Sequence, residues 1–600
     1  MADGPGRLEL VDTFRKCSKL IGPNQRGRWL VVVALAVMVS LFEAAGTMLV
    51  FALLGILVGG SEGASLPVVG DIERLVPGLA REELMLYLGI AVAGFFVVRG
   101  LMVIVQSYVQ YRVAQHAGAR LSARLLEGYL AMPYAFHLQR NSSELIRNTF
   151  DSVQRFTNEC LISGVRLLSR LGIVMGVLAV LLWTSPLAAL LAVAVLGSSL
   201  FLLLRLVHPR VKRLGRTAQE MAKQNLQALQ QSLHGVRDIV VLGREDWFVR
   251  AYRRDRKSLA RAHYLRLTAK EIPRVGIESG VVVFSVAFLG IVTLTGGSLA
   301  EAAPMLGLFG YAAVRIMPEL NQITTGLNSL KFVGSAVEDI HHDLVMFDQQ
   351  WRSRSDASLP LTRELTLQGV SFTYPGGTDP ALADIDVTIR PGESIGIVGP
   401  TGGGKTTLAD LILGLLEPTQ GSIQVDGVDI HTRLRGWQAN LGVVPQMVFL
   451  TDDTVRRNVA LGVPDDQIDE TAVGDAIRLA QLDDFVAGLP HGLATYIGER
   501  GVRVSGGQRQ RLAIARALYR QPDVLVFDEA TSALDNETEV ALMAALEELR
   551  AGRTVITVAH RLSTVASCDR VLLILDGRIA DTGTYGELAS RHASLRHGVL

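Results

Sequence analysis

The sequence predicts a chain of two unlike parts: a membrane α-helical domain with six transmembrane helices, followed by an α/β domain. Two observations carry this. Long apolar runs lie near residues 29–59, 84–111, 161–183, 187–207, 275–296 and 302–320, and none follows residue 350. From residue 361 the pattern changes to short β-rich runs alternating with helical ones, the mark of an α/β layer architecture. A chain of 600 residues is too long for one core. It is 49% hydrophobic, with a mean hydropathy of +0.30, which suits a protein lying partly in a bilayer. The net charge of +1 gives no global case for a nucleic-acid partner. Cys17, Cys160 and Cys568 are far apart, share no ligand spacing, and read as ordinary thiols.

Each apolar run is long enough to cross a hydrocarbon core of ~30 Å at ~1.5 Å per residue. The first is too long for a signal-peptide core and lacks a clear cleavage site, so it is expected to be retained. Orientation follows from Lys and Arg in the loops. The loop at 60–83 is mostly acidic, the turn at 184–186 is uncharged, and 297–301 holds only Glu301. By contrast, 112–160 contains six arginines and 205–274 contains seventeen Lys and Arg. Both termini are therefore expected on the cytoplasmic side, with the membrane helices running on into the cytoplasm. The expected organisation is a cytoplasmic segment 1–28, a membrane domain 29–345, a linker 346–360 and a second domain 361–600. The external stretch "LPVVGDIERLVPGL" places Val68, Val69, Ile72, Leu75, Val76 and Leu79 on one helical face, a candidate short helix.

One membrane residue stands out. Arg99 lies within "AGFFVVRGLMVIV" with no acid three or four residues away. A lone arginine in hydrocarbon costs several kcal/mol, so it marks a partner or a function. Arg99 and Arg315 lie ~22 Å and ~20 Å in from the outer ends of their spans, and Arg274 enters the fifth span from the inner side. These three would form one basic ring able to hold a pyrophosphate through forked hydrogen bonds. The alternative is structural pairing: Glu278 and Glu319 follow Arg274 and Arg315 by four residues, and Glu43 in the first span would serve Arg99.

The second domain opens its chemistry with "SIGIVGPTGGGKTTLADLILGLL", which reads strand, glycine loop, helix. Gly399 to Thr406 fits G-x-x-x-x-G-K-[ST], the P-loop of a nucleotide-binding domain. Glycines let backbone N–H groups close around phosphate, and the helix N-terminus adds a positive dipole. The expected ATP contacts are Gly399, Pro400, Thr401, Gly402, Gly403, Gly404, Lys405, Thr406 and Thr407. Lys405 would reach the β- and γ-phosphates and Thr406 would hold Mg²⁺. "DVLVFDEATSALD" is a buried strand ending in two acids. Asp528 would bind Mg²⁺ through water, and Glu529 would polarise the attacking water. His560 closes the apolar strand "TVITVAH", in reach of a γ-phosphate.

Residues 361–600 resemble the nucleotide-binding domain of an ABC transporter. "VSGGQRQRLAIARAL" resembles that family's signature motif, with Val504 in place of the commoner leucine. The resemblance implies that Ser505, Gly506, Gly507 and Gln508 serve the ATP of the opposite subunit. It implies that Gln446 in "VVPQ" senses Mg²⁺ and the membrane domain. Tyr374 in "FTYPGG" matches the aromatic that stacks on adenine, and Asp535 in "SALD" matches the loop that crosses the dimer. "TYIGERG", with Glu499, matches a segment that touches the intracellular loops of exporters. One chain with six spans and one ATPase domain therefore implies a homodimer of ABC exporter type. The segments "SLFEAAGTMLVFALLGIL", "MPYAFHLQRNSSELIRNTF" and "YAAVRIMPELNQITTGLNSL" are similar to bacterial flippases for lipid-linked oligosaccharides. That likeness implies a polyprenyl-pyrophosphate glycan moved to the outer leaflet of the bacterial inner membrane. Two alternatives stand beside it: an exporter of other lipids or drugs, and an ATP-gated channel or regulator. The presence of Glu529 speaks against the last.

Overall fold

The structure is a computed structural model. It describes residues 15–58 apart from 18, 21, 23 and 24, then 81–184, 235–294, 299–350, 357–498, 504–528, 552–559 and 564–592, with scattered positions between 186 and 233. The chain divides into two compact units, one of Met1–Leu130 with Ser143–Phe347, the other of Ala131–Ser142 with Asp348–Leu600.

The first unit is helical. Its main elements are α1 (Arg26–Val58), α2 (Arg81–Ala131), α4 (Ser142–Arg147), α5 (Ser163–Thr184), α6 (Val236–Val241), α7 (Glu245–Leu294), α8 (Leu299–Phe332) and α9 (Gly334–Gln350); the short α3 (Tyr134–Gln139) belongs to the second unit. Among the described residues, Arg26–Val50, Met85–Ala131 and Ser142–Trp183 are long and apolar enough to cross a membrane. The apolar runs at 275–296 and 302–320 lie largely within α7 and α8. The run at 187–207 falls mostly outside the described residues, and the candidate external helix at 66–79 does so entirely.

Small residues set the approach of α1 to α5. A Cβ on Gly172 would fall 2.8 Å from the Ser40 hydroxyl oxygen, and one on Gly176 would fall 2.8 Å from the Ala44 Cβ. Glycines four apart facing a serine and an alanine four apart let two membrane helices touch closely, with dispersion contacts as the attraction. The Ser40 hydroxyl also donates to the Ser169 carbonyl across the pair at 3.0 Å. Between α4 and α5 the helix widens into two π-helical turns, Asn148–Ser152 and Phe156–Ile162. An extra residue per turn re-aims side chains. Here one turn carries buried Asn148, whose amide donates to Asp343 of α9 at 3.0 Å; Tyr129 of α2 donates to the same carboxylate oxygen at 2.5 Å. The other turn carries Cys160, whose sulfur lies 2.8 Å from that of Cys17. The two thiols are thus neighbours despite a separation of 143 positions in the sequence, a contact that sequence spacing does not reveal.

The second unit holds two sheets. β1 (Leu365–Phe372), β2 (Leu382–Ile389), β4 (Gln420–Val425) and β5 (Val428–Asp429) form an antiparallel sheet in the order β2-β1-β4-β5. β3 (Ser394–Val398), β6 (Leu441–Val444), β7 (Val524–Asp528), β8 (Thr554–Val558), β9 (Arg570–Leu575) and β10 (Arg578–Gly583) form a second, in the order β10-β9-β3-β8-β7-β6. All its pairs are parallel except β9–β10. Every residue of β3 and β8 is buried. Such strands, covered on both faces, need continuous apolar runs rather than alternation, which is why "SIGIV" and "TVITV" read as they do. The ladder pairs Ile397 with Val558 and Asp528 with Val558, so β3, β8 and β7 end together at one sheet edge. Helix α3 packs Ala135 against the core of this unit.

Candidate functional site

The first site forms at that edge. β3 runs into the glycine loop, and α10 (Lys405–Ile412) begins directly after it. Gly404 adopts φ 102°, where a side chain is strained, and a Cβ there would meet the Ala381 carbonyl oxygen at 2.8 Å. A Cβ on Gly399 would fall 2.2 Å from the Ile574 carbonyl oxygen. The backbone is thus held where only glycine fits, the condition for a loop that wraps a phosphate. Lys405 is buried and its ammonium donates to the carbonyls of Gly399 at 2.7 Å and Pro400 at 3.1 Å. Its charge therefore sits inside the loop. Tyr374 reaches α10 through a 3.0 Å hydrogen bond between its hydroxyl and that of Thr407, and Phe372 meets it edge-on at 5.0 Å. These two contacts fix the ring, which stays 38% exposed and so keeps surface for a base.

Asp528 ends β7 and faces α10. The Asp410 carboxyl of that helix is pushed up to about 6, by burial first and then by the negative charge of Asp528. Asp410 and Asp528, which feel each other's charge, together with Thr406 at the start of the same helix as Asp410, supply hard oxygen donors, which suit Mg²⁺ with a phosphate. The residues present therefore fit the ion; bound there, it would neutralise phosphate charge during transfer. Asp410 was not singled out in the sequence; its signal was an acid inside the otherwise apolar and hydroxyl run "KTTLADLI". Gln446 stands exposed just beyond β6. Ser505 caps α11 (Gly506–Leu518): its hydroxyl accepts from the Gln508 N–H at 3.2 Å, and its own N–H donates to the Gln508 side chain at 2.8 Å. Gly506 and Gly507 occupy the first turn of that helix, and Val504 is buried in the adjoining core. Glu499, Glu529, Asp535 and His560 lie outside the described residues.

The second site lies in the membrane helices. Glu43 of α1 is 4% exposed. One of its carboxylate oxygens pairs with Arg99 of α2 and the other with Arg315 of α8. Arg99 also lies over the Phe96 ring, 5.3 Å from its centre. Its Nε is buried and has no hydrogen-bond partner among the described residues. Glu319 does not take Arg315, four residues before it; it accepts from Arg170 of α5 at 2.9 and 2.8 Å. The structure thus pairs Arg99 with Glu43, as the structural alternative expected, adds Arg315 to the same acid, and gives Glu319 to Arg170 in place of the expected Arg315. Nothing is described of the Arg274 side chain.

Comparison with known proteins places the whole chain in a family. The ABC transporter transmembrane region matches residues 29–306 and the ABC transporter ATPase model matches 382–532. The ATP-dependent lipid A-core flippase of Chromobacterium violaceum is 33% identical over 520 residues, covering 84% of this chain and 86% of that one. The flippase of the same name from Cupriavidus metallidurans is 30% identical over 601 residues, covering 97% and 94%. Among solved structures, a bacterial Atm1-family ABC exporter with ATP bound superposes with a TM-score of 0.75 over 96% of this chain and 98% of that one, at 24% identity. A glycine loop closed around a buried lysine, an acid-tipped neighbouring strand and a helical membrane unit in one polypeptide have one reading: the chain belongs to the ABC transporter family, as an exporter whose ATPase domain hydrolyses ATP to drive transport.

Proposed function

We propose that the chain works as a homodimer in the bacterial inner membrane and flips an anionic glycolipid from the inner to the outer leaflet. The observation that carries this is the pairing of Arg99 and Arg315 with a single carboxylate, Glu43. Counting Arg170 and Glu319, this cluster of described residues holds three guanidinium groups and two acids, an excess of one positive charge within it. Buried charge is retained only where something uses it. A phosphate or pyrophosphate linked to lipid is such a user, held through forked, charge-assisted bonds while the tail stays in the bilayer. Arg274 is assigned to the same ring from its position in the sequence. The finer reading is a polyprenyl-pyrophosphate-linked oligosaccharide. The names of the relatives favour a lipid A-core substrate instead. Both present phosphate and sugar on apolar tails.

In the ATPase domain, 361–600, Lys405 and the loop Gly399–Gly404 hold the phosphates, Tyr374 the adenine, and Thr406, Gln446 and Asp528 the Mg²⁺. Glu529 is the base for water, and His560 contacts the γ-phosphate. Ser505, Gly506, Gly507 and Gln508 act on the partner's ATP, beside Asp535. Both termini face the cytoplasm, at the ends of the membrane domain 29–345, the linker 346–360 and the ATPase domain. Proteoliposomes test the substrate directly. Purified protein should translocate a defined polyprenyl-pyrophosphate glycan or lipid A-core with ATP, and Arg99→Ala should stop it. Transport by Arg99→Ala at the wild-type rate for both lipids would remove the arginines from substrate binding.

A further inference from the structure

We propose that Glu43 is an internal competitor for the anionic group of the substrate, and that it sets a charge threshold on which lipid headgroups enter. The proposal rests on the anionic-lipid reading above and adds to it a specificity-determining residue. Glu43 is nearly inaccessible, yet it is not the private partner of one arginine: each of its oxygens takes a guanidinium from a different helix. It therefore occupies the two groups that a phosphate would need. Any headgroup must share the arginines with it or displace it. Glu319 cannot play this part, since Arg170 holds both its oxygens.

The balance of charge decides the outcome. A headgroup with one negative charge that displaced Glu43 would exchange two ion pairs for two of the same kind and leave a buried carboxylate unpaired, which is unfavourable. A phosphomonoester or pyrophosphate carries more charge and three or more acceptor oxygens. It can hold both guanidinium groups and still accept from Arg99 Nε, a buried donor with no partner among the described residues. The bulk phosphodiester lipids of a bilayer therefore fall below the threshold, and multiply charged headgroups pass it. The same carboxylate gives a way out. When the helices move and the headgroup loosens, Glu43 retakes the arginines and prevents rebinding. A site without it would bind its substrate more tightly and release it more slowly.

The test uses the full chain in phosphatidylethanolamine proteoliposomes. The lipids added are a polyprenyl pyrophosphate, lipid A with its two phosphomonoesters, and phosphatidylglycerol with a single phosphodiester charge. The readout is the half-saturating lipid concentration and the maximum of stimulated ATP hydrolysis. Wild-type protein should respond to at least one multiply charged lipid and ignore phosphatidylglycerol. Glu43→Gln should lower the half-saturating concentration about tenfold, the size of one competing charged contact, and lower the maximum as release slows. Phosphatidylglycerol should then compete. Glu43→Asp keeps the charge but draws it back by one methylene, so it should shift the same way by about threefold; it serves where the glutamine variant does not fold. Either folded variant with wild-type half-saturation and unchanged rejection of phosphatidylglycerol overturns the proposal. If Arg99→Ala still loses stimulation in that case, the anionic-lipid reading survives without it. Wild-type protein indifferent to both multiply charged lipids overturns both.

Discussion

Single residues carry the chemistry, and they differ in how far the sequence exposes them. The P-loop was legible because its demands are local: Gly399 and Gly404 sit where a Cβ would strike backbone carbonyls at 2.2 and 2.8 Å, so only glycine can stand there. Asp528 at the end of β7 follows from the sequence just as directly, as the acid that closes a buried apolar strand. Glu529→Gln should keep ATP binding but lower turnover about a hundredfold or more, since an amide keeps the shape without accepting a proton. Single-turnover hydrolysis by the purified variant at the wild-type rate would take Glu529 out of the role of base. Asp426 offers a different check. It opens the two-residue Asp426–Gly427 turn between β4 and β5, at φ 52°, where Asn is also tolerated. Burial pushes its carboxyl up, but the Thr362 hydroxyl and the N–H groups of Glu364, Arg363 and Thr362 outweigh that and hold it at about 2. A folded value below the ordinary 3.8 means that the group adds stability above that pH and loses it as pH falls toward about 2. Asp426→Asn should therefore flatten the decline of melting temperature between pH 5 and 2.5. Equal slopes for the two proteins would show that these bonds do not stabilise the fold.

Elements show where sequence reading stops. Strands β3, β7 and β8 follow from continuous apolar runs, and the long α2 and α7 follow from helical spacing that continues past the apolar core. What the sequence did not expose is which face meets which. Glu43, expected to serve Arg99, also collects Arg315 from a third helix, Glu319 takes Arg170 rather than its own neighbour, and Cys17 meets Cys160. Each is a tertiary pairing between residues too distant in the chain for any periodicity to link. The π-helical turns before α5 are equally silent, because widening by one residue changes no composition. The α1–α5 contact is the simplest to probe. Gly176→Ala should place a methyl 2.8 Å from the Ala44 Cβ and destabilise the protein by about 1–3 kcal/mol, the usual cost of overpacking. Ala44→Gly in the same chain should recover most of that by vacating the space. Thermal unfolding in detergent reads both. A double variant no more stable than Gly176→Ala would mean the two helices do not meet at these residues.

At the scale of the whole molecule, the open issue is how one chain completes a site. Under the proposed reading its loop and acids contact the phosphates from one side, while Ser505 and the first turn of α11 offer backbone N–H groups at another helix start. Under the proposed homodimer, each ATP lies between the loop of one copy and the signature helix of the other. Two cross-linked heterodimers separate this from self-contained sites. In the first, one chain carries Lys405→Ala and the other Ser505→Arg. Shared sites then concentrate both defects in one site and leave the second intact, since it joins the sound loop of one chain to the sound signature helix of the other. In the second, one chain carries both substitutions and its partner is wild type. Shared sites now take one defect each, and neither is whole. The first heterodimer should therefore retain one occluded nucleotide and the second none. Self-contained sites demand the reverse, because the wild-type chain of the second pair would keep its own loop and helix. Nucleotide trapped per dimer, counted after gel filtration, decides between them: more in the second arrangement than in the first would refute the sharing of sites, and with it the physical reason for the dimer.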